Sequence, residues 1–91
     1  MALPVIAFEK FLDVPNKPTV DLSDLVAQVK QTGRITGVVA RALAAIEAPA
    51  TRDGYRRVQR ILGFTGADAD GIPGERSLRR LGDAFGFSVR A

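Results

Sequence analysis

The chain has 91 residues, 46% of them apolar, a length that suits one small domain and leaves no room for a deep catalytic cleft. It contains no cysteine and no histidine, which removes disulfide frameworks, thiolate chemistry, the usual zinc ligand sets and imidazole bases, so neither a metal nor any other cofactor is expected. The net charge of +3 is unevenly placed: residues 1–51 hold five basic and five acidic groups, whereas residues 52–91 hold eight arginines against five acids, a bias that suits either a polyanionic or acidic partner or a solvated helix face.

Residues 1–18 include Pro4, Pro15 and Pro18, which forbid a continuous helix, while Val5, Ile6, Phe8, Phe11 and Leu12 are too apolar for a disordered tail. The reading is an extended N-terminal arm that packs on its own domain or, through Phe8, Phe11 and Leu12, on a larger protein assembly. No basic stretch precedes these apolar residues and no small-residue cleavage site follows them, so no signal peptide is predicted and the chain is expected to be made in the cytoplasm.

A helical domain is expected over residues 19–91. Val20, Leu22, Leu25, Val26 and Val29 recur at helical spacing, with Thr19 or Asp21 as cap and Gly33 as stop, and predict a first helix over 21–31. Ile35, Val38, Val39, Ala42, Leu43 and Ile46 share one broad face and predict a second helix over 35–48, ended by Pro49. Thr51 caps a third helix over 52–62, with Tyr55, Val58, Ile61 and Leu62 as its apolar stripe, Arg52, Arg56 and Arg60 on the opposite face, and Gly63 at the stop. A fourth helix over 75–85 buries Leu78, Leu81 and Phe85 and exposes Arg76, Arg79, Arg80 and Asp83. No segment alternates with a period of two for long enough to predict a strand, and the fold class is therefore all-α: a small bundle of about four helices with an extended arm. The longest weakly polar stretch contains Arg41 and Glu47 and falls short of the roughly 18 apolar residues that a membrane span needs.

The connection between the third and fourth helices, "FTGADADGIPG", is longer than a turn requires. Asp70-Gly71 is a turn pair in which glycine supplies a positive φ, and Pro73 pushes Ile72 extended so that it points inward as an apolar plug. Gly74 then releases the chain into a helix whose first turn carries Glu75, a favourable charge at the positive end of the helix dipole. The loop reads as a structured crossover.

The stretch "VQRILGFTGADADGIPGERSLRRL" resembles the small three-helix peptidoglycan-binding domain found beside many bacterial and phage cell-wall hydrolases. In that family a helix of the form "LQ..L", ended by glycine, leads through a loop to "DG.FG..T...L". The matching positions here are Val58, Gln59, Leu62 and Gly63, then Asp70, Gly71, Ile72, Gly74, Ser77, Leu78 and Leu81, with Pro73 at the position of the large residue. The resemblance covers residues 55–85 and implies a fold that grips glycan strands or stem peptides without cleaving them. For such a ligand the candidate groups beside the loop are Tyr55 as a flat apolar platform, Gln59 and Asp70 as hydrogen-bond partners, and Arg76 and Arg79 as forks for carboxylates. Tyr55 as core and Gln59 as a brace for the loop backbone are the competing readings. Carriage in a phage particle, or release on lysis, would bring a chain without a signal peptide to the wall.

Two other readings stand beside this one. The chain could be a helical structural subunit of a larger assembly, such as a virion, without wall binding. Alternatively the short "APAT" link and the third helix, with Arg52, Arg56, Arg57, Gln59 and Arg60, could form a helix-turn-helix that reads DNA, since arginine forks pair with guanine edges and grip phosphates.

Overall fold

In the computed structural model, which describes residues 17–91, the first helix, α1 (Leu22–Thr32), starts where the Asp21 carboxylate accepts the Asp24 amide at 3.3 Å and stops where the Gly33 amide bonds the Val29 carbonyl at 2.8 Å. Its buried face is Leu25 and Val29. The second helix, α2 (Val38–Ala45), is shorter than the expected 35–48 at both ends. On the N-terminal side the chain is held extended: Arg34 pairs with Thr51 in an antiparallel bridge, and the Arg52 amide donates to the Gly33 carbonyl at 2.9 Å. On the C-terminal side Glu47 takes a positive φ of 60° and the Ala48 amide reaches back to the Leu43 carbonyl at 2.8 Å, which unwinds the helix before Pro49. Ile35 is nonetheless buried, so its apolar character reports the core while its position is not helical.

Thr51 caps the third helix, α3 (Arg52–Ile61), by accepting the Gly54 amide at 3.1 Å. Tyr55 and Val58 are fully buried, but Ile61, expected on the same stripe, is 37% exposed. After a 3-10 turn at Gly66–Asp68 the loop enters the fourth helix, α4 (Glu75–Phe85), whose bounds coincide with those predicted. Leu78, Leu81 and Phe85 have no exposed surface and, with Val39, Ala42, Leu43, Tyr55 and Val58, make the centre of one core.

The expectation that no strand forms is corrected. β1 (Thr19–Asp21) and β2 (Ser88–Arg90) pair in parallel, with Thr19 opposite Ser88, Val20 opposite Val89 and Asp21 opposite Arg90. Parallel strands need a long crossover, and here all four helices lie between the two. Val20 carries β1 into the core, and the Arg90 guanidinium meets the Asp21 carboxylate at 3.2 Å. The Asp24 amide, and after it the Arg90 side chain, hold the Asp21 carboxyl below its ordinary value against the opposing effect of desolvation. The molecule is thus a small, mostly helical bundle with one short parallel ribbon. Among the described residues no helix is long and apolar enough to cross a membrane. Of the expected arm, Pro18 accepts the Ser88 amide at 3.0 Å and leads into β1, whereas Phe8, Phe11 and Leu12 lie outside the described residues.

Candidate binding groove beside the long loop

The loop is held by one side chain from α3. Gln59 is 1% exposed, and its Oε1 accepts the Gly71 amide at 2.8 Å while its Nε2 donates to the Ile72 carbonyl at 3.2 Å and, more weakly, to Asp70 Oδ1 at 3.4 Å. Asp70 closes a local turn by accepting the Ile72 amide at 2.9 Å on the same oxygen. The Arg52 Nε donates to the Asp70 carbonyl at 3.2 Å, which pins the loop to the start of α3. Gly71 has the expected positive φ, 78°, and is required for a second reason: a Cβ there would lie 2.5 Å from the Arg52 carbonyl oxygen.

The apolar plug is not the residue expected. Ile72 is only half-buried against the core, and Pro73 is fully buried in its place. The rigid ring of Pro73 fixes the turn that the Gln59 bonds define, so the inward position falls one residue later. Tyr55 is corrected more strongly. It has no exposed surface and its hydroxyl lies 2.9 Å from Ser77 Oγ, so it cannot serve as a platform for a ligand. Since Ser77 Oγ donates its single proton to the Gly74 carbonyl at 3.1 Å, the Tyr55 hydroxyl is the donor in that pair. Burial raises the Tyr55 pKa well above its ordinary value, with the nearby Asp70 charge adding to it and the Ser77 hydrogen bond opposing.

These contacts leave a depression of about 230 Å³ between the loop and the first turn of α4. Half-buried Phe64 and Ile72 give it an apolar wall, and exposed Asp68, Asp70, Glu75 and Arg76 stand at its rim. Of the expected ligand groups, Gln59, Asp70 and Arg76 are brought together here. Gln59, however, has both its polar atoms engaged by the loop, and it acts as a brace. Arg79 does not line the groove: its Nε and Nη2 both donate to Glu75 Oε1, at 3.1 and 2.9 Å. Arg76 makes no ion pair among the described residues.

Phe64, Ala67, Asp68 and Glu75 line the groove without having been expected there. A large apolar residue directly after the stop glycine was the available signal for Phe64; Glu75 was legible only as a helix-dipole charge. Among the described residues no group of three or more acids is placed to hold a metal ion.

A helix-turn-helix reads bases with the N-terminal residues of its second helix. In this chain that end of α3 touches the loop, with exposed Arg52 bonded to the Asp70 carbonyl and its backbone against Gly71, and Arg56 is turned to Asp53 at 3.6 Å. Comparison with known proteins gives no match among protein-family models, curated proteins or solved structures.

Proposed function

We propose that this chain is a non-catalytic module that grips peptidoglycan at the groove between the Asp70–Gly74 loop and α4. The observation that carries the reading is the bracing of that loop by Gln59, which holds an apolar wall and a charged rim in a fixed arrangement before any ligand arrives. A site built in advance loses less free energy on binding than one that must order itself.

The shape supports a polymer over a small molecule. At about 230 Å³ the depression is smaller than the roughly 300–1,000 Å³ of pockets that engulf a whole ligand, and it suits one segment of a chain lying across the surface. Phe64 and Ile72 suit the apolar face of a sugar ring or an alanine methyl group. Asp68, Asp70 and Glu75 accept hydrogen bonds from hydroxyl or amino groups, and Arg76 forms a fork for a stem-peptide carboxylate. The three carboxylates are all exposed to water, without the contrast of environments that separates acid from base in a glycoside hydrolase.

Co-sedimentation with purified peptidoglycan tests the reading. The intact protein is expected in the pellet, and Asp70→Ala combined with Arg76→Ala in the supernatant, at unchanged far-ultraviolet circular dichroism. Intact protein that stays in the supernatant at low salt would leave the chain as a helical structural subunit.

A further inference from the structure

Seven of the eight arginines beyond residue 51 lie on α3 and α4; Arg57 borders a separate depression with Glu47 and Ile61, and the other six divide into two groups. Arg52, Arg56 and Arg79 are engaged within the fold, by the Asp70 carbonyl, Asp53 and Glu75. Arg60, Arg76 and Arg80 have no acid within ion-pair distance among the described residues, and all three are exposed. They also stand on neighbouring parts of α3 and α4. Arg60 stands in the last turn of α3, three residues before Gly63, and the Arg80 guanidinium lies over Gly63, its Nη2 3.9 Å from where a Cβ would sit. Arg76 is one turn before Arg80 on α4, about 6 Å along the axis, at the edge of the groove.

One cation at the end of α3 is explained by the helix dipole, which presents about half a negative charge there. Arg80 over Gly63 adds a second charge near that end and Arg76 a third one turn away, and neither an acid nor a carbonyl within the described fold offsets them. We infer that Arg60, Arg76 and Arg80 form a binding surface for a linear polymer that repeats a phosphate anion, a polyol phosphate chain of the cell wall. Arginine forks match phosphate oxygens in pairs, and a repeating anion can engage several at once. Nucleic acid shares the phosphates but is disfavoured, because binding it draws also on parts this surface lacks. At the N-terminal end of α3 Arg52 and Arg56 are engaged by the Asp70 carbonyl and Asp53, and with Tyr55, Phe85 and Phe87 buried, half-buried Phe64 is the one aromatic ring beside the arginines among the described residues, too little for successive bases to stack on. The choice of a wall polymer rests on the proposed reading of the groove, whereas the anion chemistry rests on the arginines alone.

The test measures binding of the full chain to poly(glycerol phosphate), to a DNA duplex of matched charge, and to peptidoglycan stripped of phosphate polymers, each across a salt series. Arg60→Gln with Arg80→Gln is the variant, since both side chains are exposed and neither lines the groove; its thermal midpoint is compared with that of the parent. The polymer is expected to bind with an affinity that falls steeply with salt, and the variant to lose at least tenfold in affinity and about 1.4 in the slope of log affinity against log salt. Binding of the variant to stripped peptidoglycan should be unchanged. Absence of polymer binding at low salt, an undiminished variant, or tighter binding to the duplex than to the polymer would each overturn the inference. If stripped peptidoglycan binds and the polymer does not, the arginine surface is refuted and the groove stands; the reverse result refutes the groove and keeps the arginines.

Discussion

Gln59 and Gly71 are twelve residues apart in the chain and are joined by a buried 2.8 Å hydrogen bond in which the glycine amide donates to the glutamine Oε1. The bond satisfies a loop amide that no helix or strand could reach, and it makes the buried face of α3 responsible for the shape of the groove. Gln59→Leu keeps the volume but leaves the Gly71 amide without its partner, while the Ile72 carbonyl keeps only the Gly74 amide at 2.8 Å. A buried group left unpaired costs about 1–3 kcal/mol, so the variant is expected to lose about 2–3 kcal/mol in urea unfolding, and its wall binding should weaken along with the order of the loop.

Two glycines of the same loop should respond in opposite ways to alanine. At Gly71 a Cβ meets the Arg52 carbonyl oxygen at 2.5 Å with φ at 78°, and the combined left-handed strain and overpacking should cost about 2–4 kcal/mol. At Gly74 nothing lies within 4 Å of the added carbon and φ is −72°, so Gly74→Ala should be neutral or stabilise by up to about 1 kcal/mol. Chemical denaturation of the two variants side by side checks the contrast; equal midpoints would mean that the loop is loosely held.

Helix propensity alone says that Gly54→Ala in α3 should stabilise the protein by about 1 kcal/mol. The opposite is expected, because a Cβ at position 54 would lie 1.8 Å from the Pro49 carbonyl oxygen, which crosses the helix at this point. Backbone must move to admit it, and a loss of about 2–3 kcal/mol should appear in thermal or urea unfolding.

Tyr55 is the single tyrosine of the chain, so phenolate absorbance reports it alone. Its pKa is raised in the fold by burial, then by Asp70, against the Ser77 hydrogen bond. A group whose pKa is raised on folding contributes stability that is complete below its unfolded value, near 10 for tyrosine, and is lost above it as the unfolded chain alone releases the proton. Stability should therefore decline above about pH 10, with phenolate appearing only on unfolding. Tyr55→Phe should cost about 1 kcal/mol at neutral pH, since Ser77 keeps its bond to Gly74, and should flatten the alkaline decline relative to the parent. A phenolate signal rising at the ordinary pKa in the folded protein would contradict the buried position.

What the sequence determined by itself was local. Thr51 was legible as a cap and Asp21 as one of two candidates beside Thr19, since such side chains bond amides three residues on, and α4 was legible from end to end because Leu78, Leu81 and Phe85 repeat on a helical period. The positive φ at Gly71 followed from the Asp-Gly pair. The tertiary structure decided whatever depends on partners far along the chain. The β1–β2 ribbon joins segments of three residues from opposite ends of the described region, too short for any period to show. Ile35 carries the apolar mark of a core residue, but its removal from α2 follows from the pairing of Arg34 with Thr51. Tyr55 and Gln59 read equally well as ligand groups or as structure until Ser77 and the Gly71 amide were seen to occupy them. Periodicity records which face of an element turns inward; whether a polar atom on that face meets a ligand or another part of the chain depends on what the fold brings opposite it.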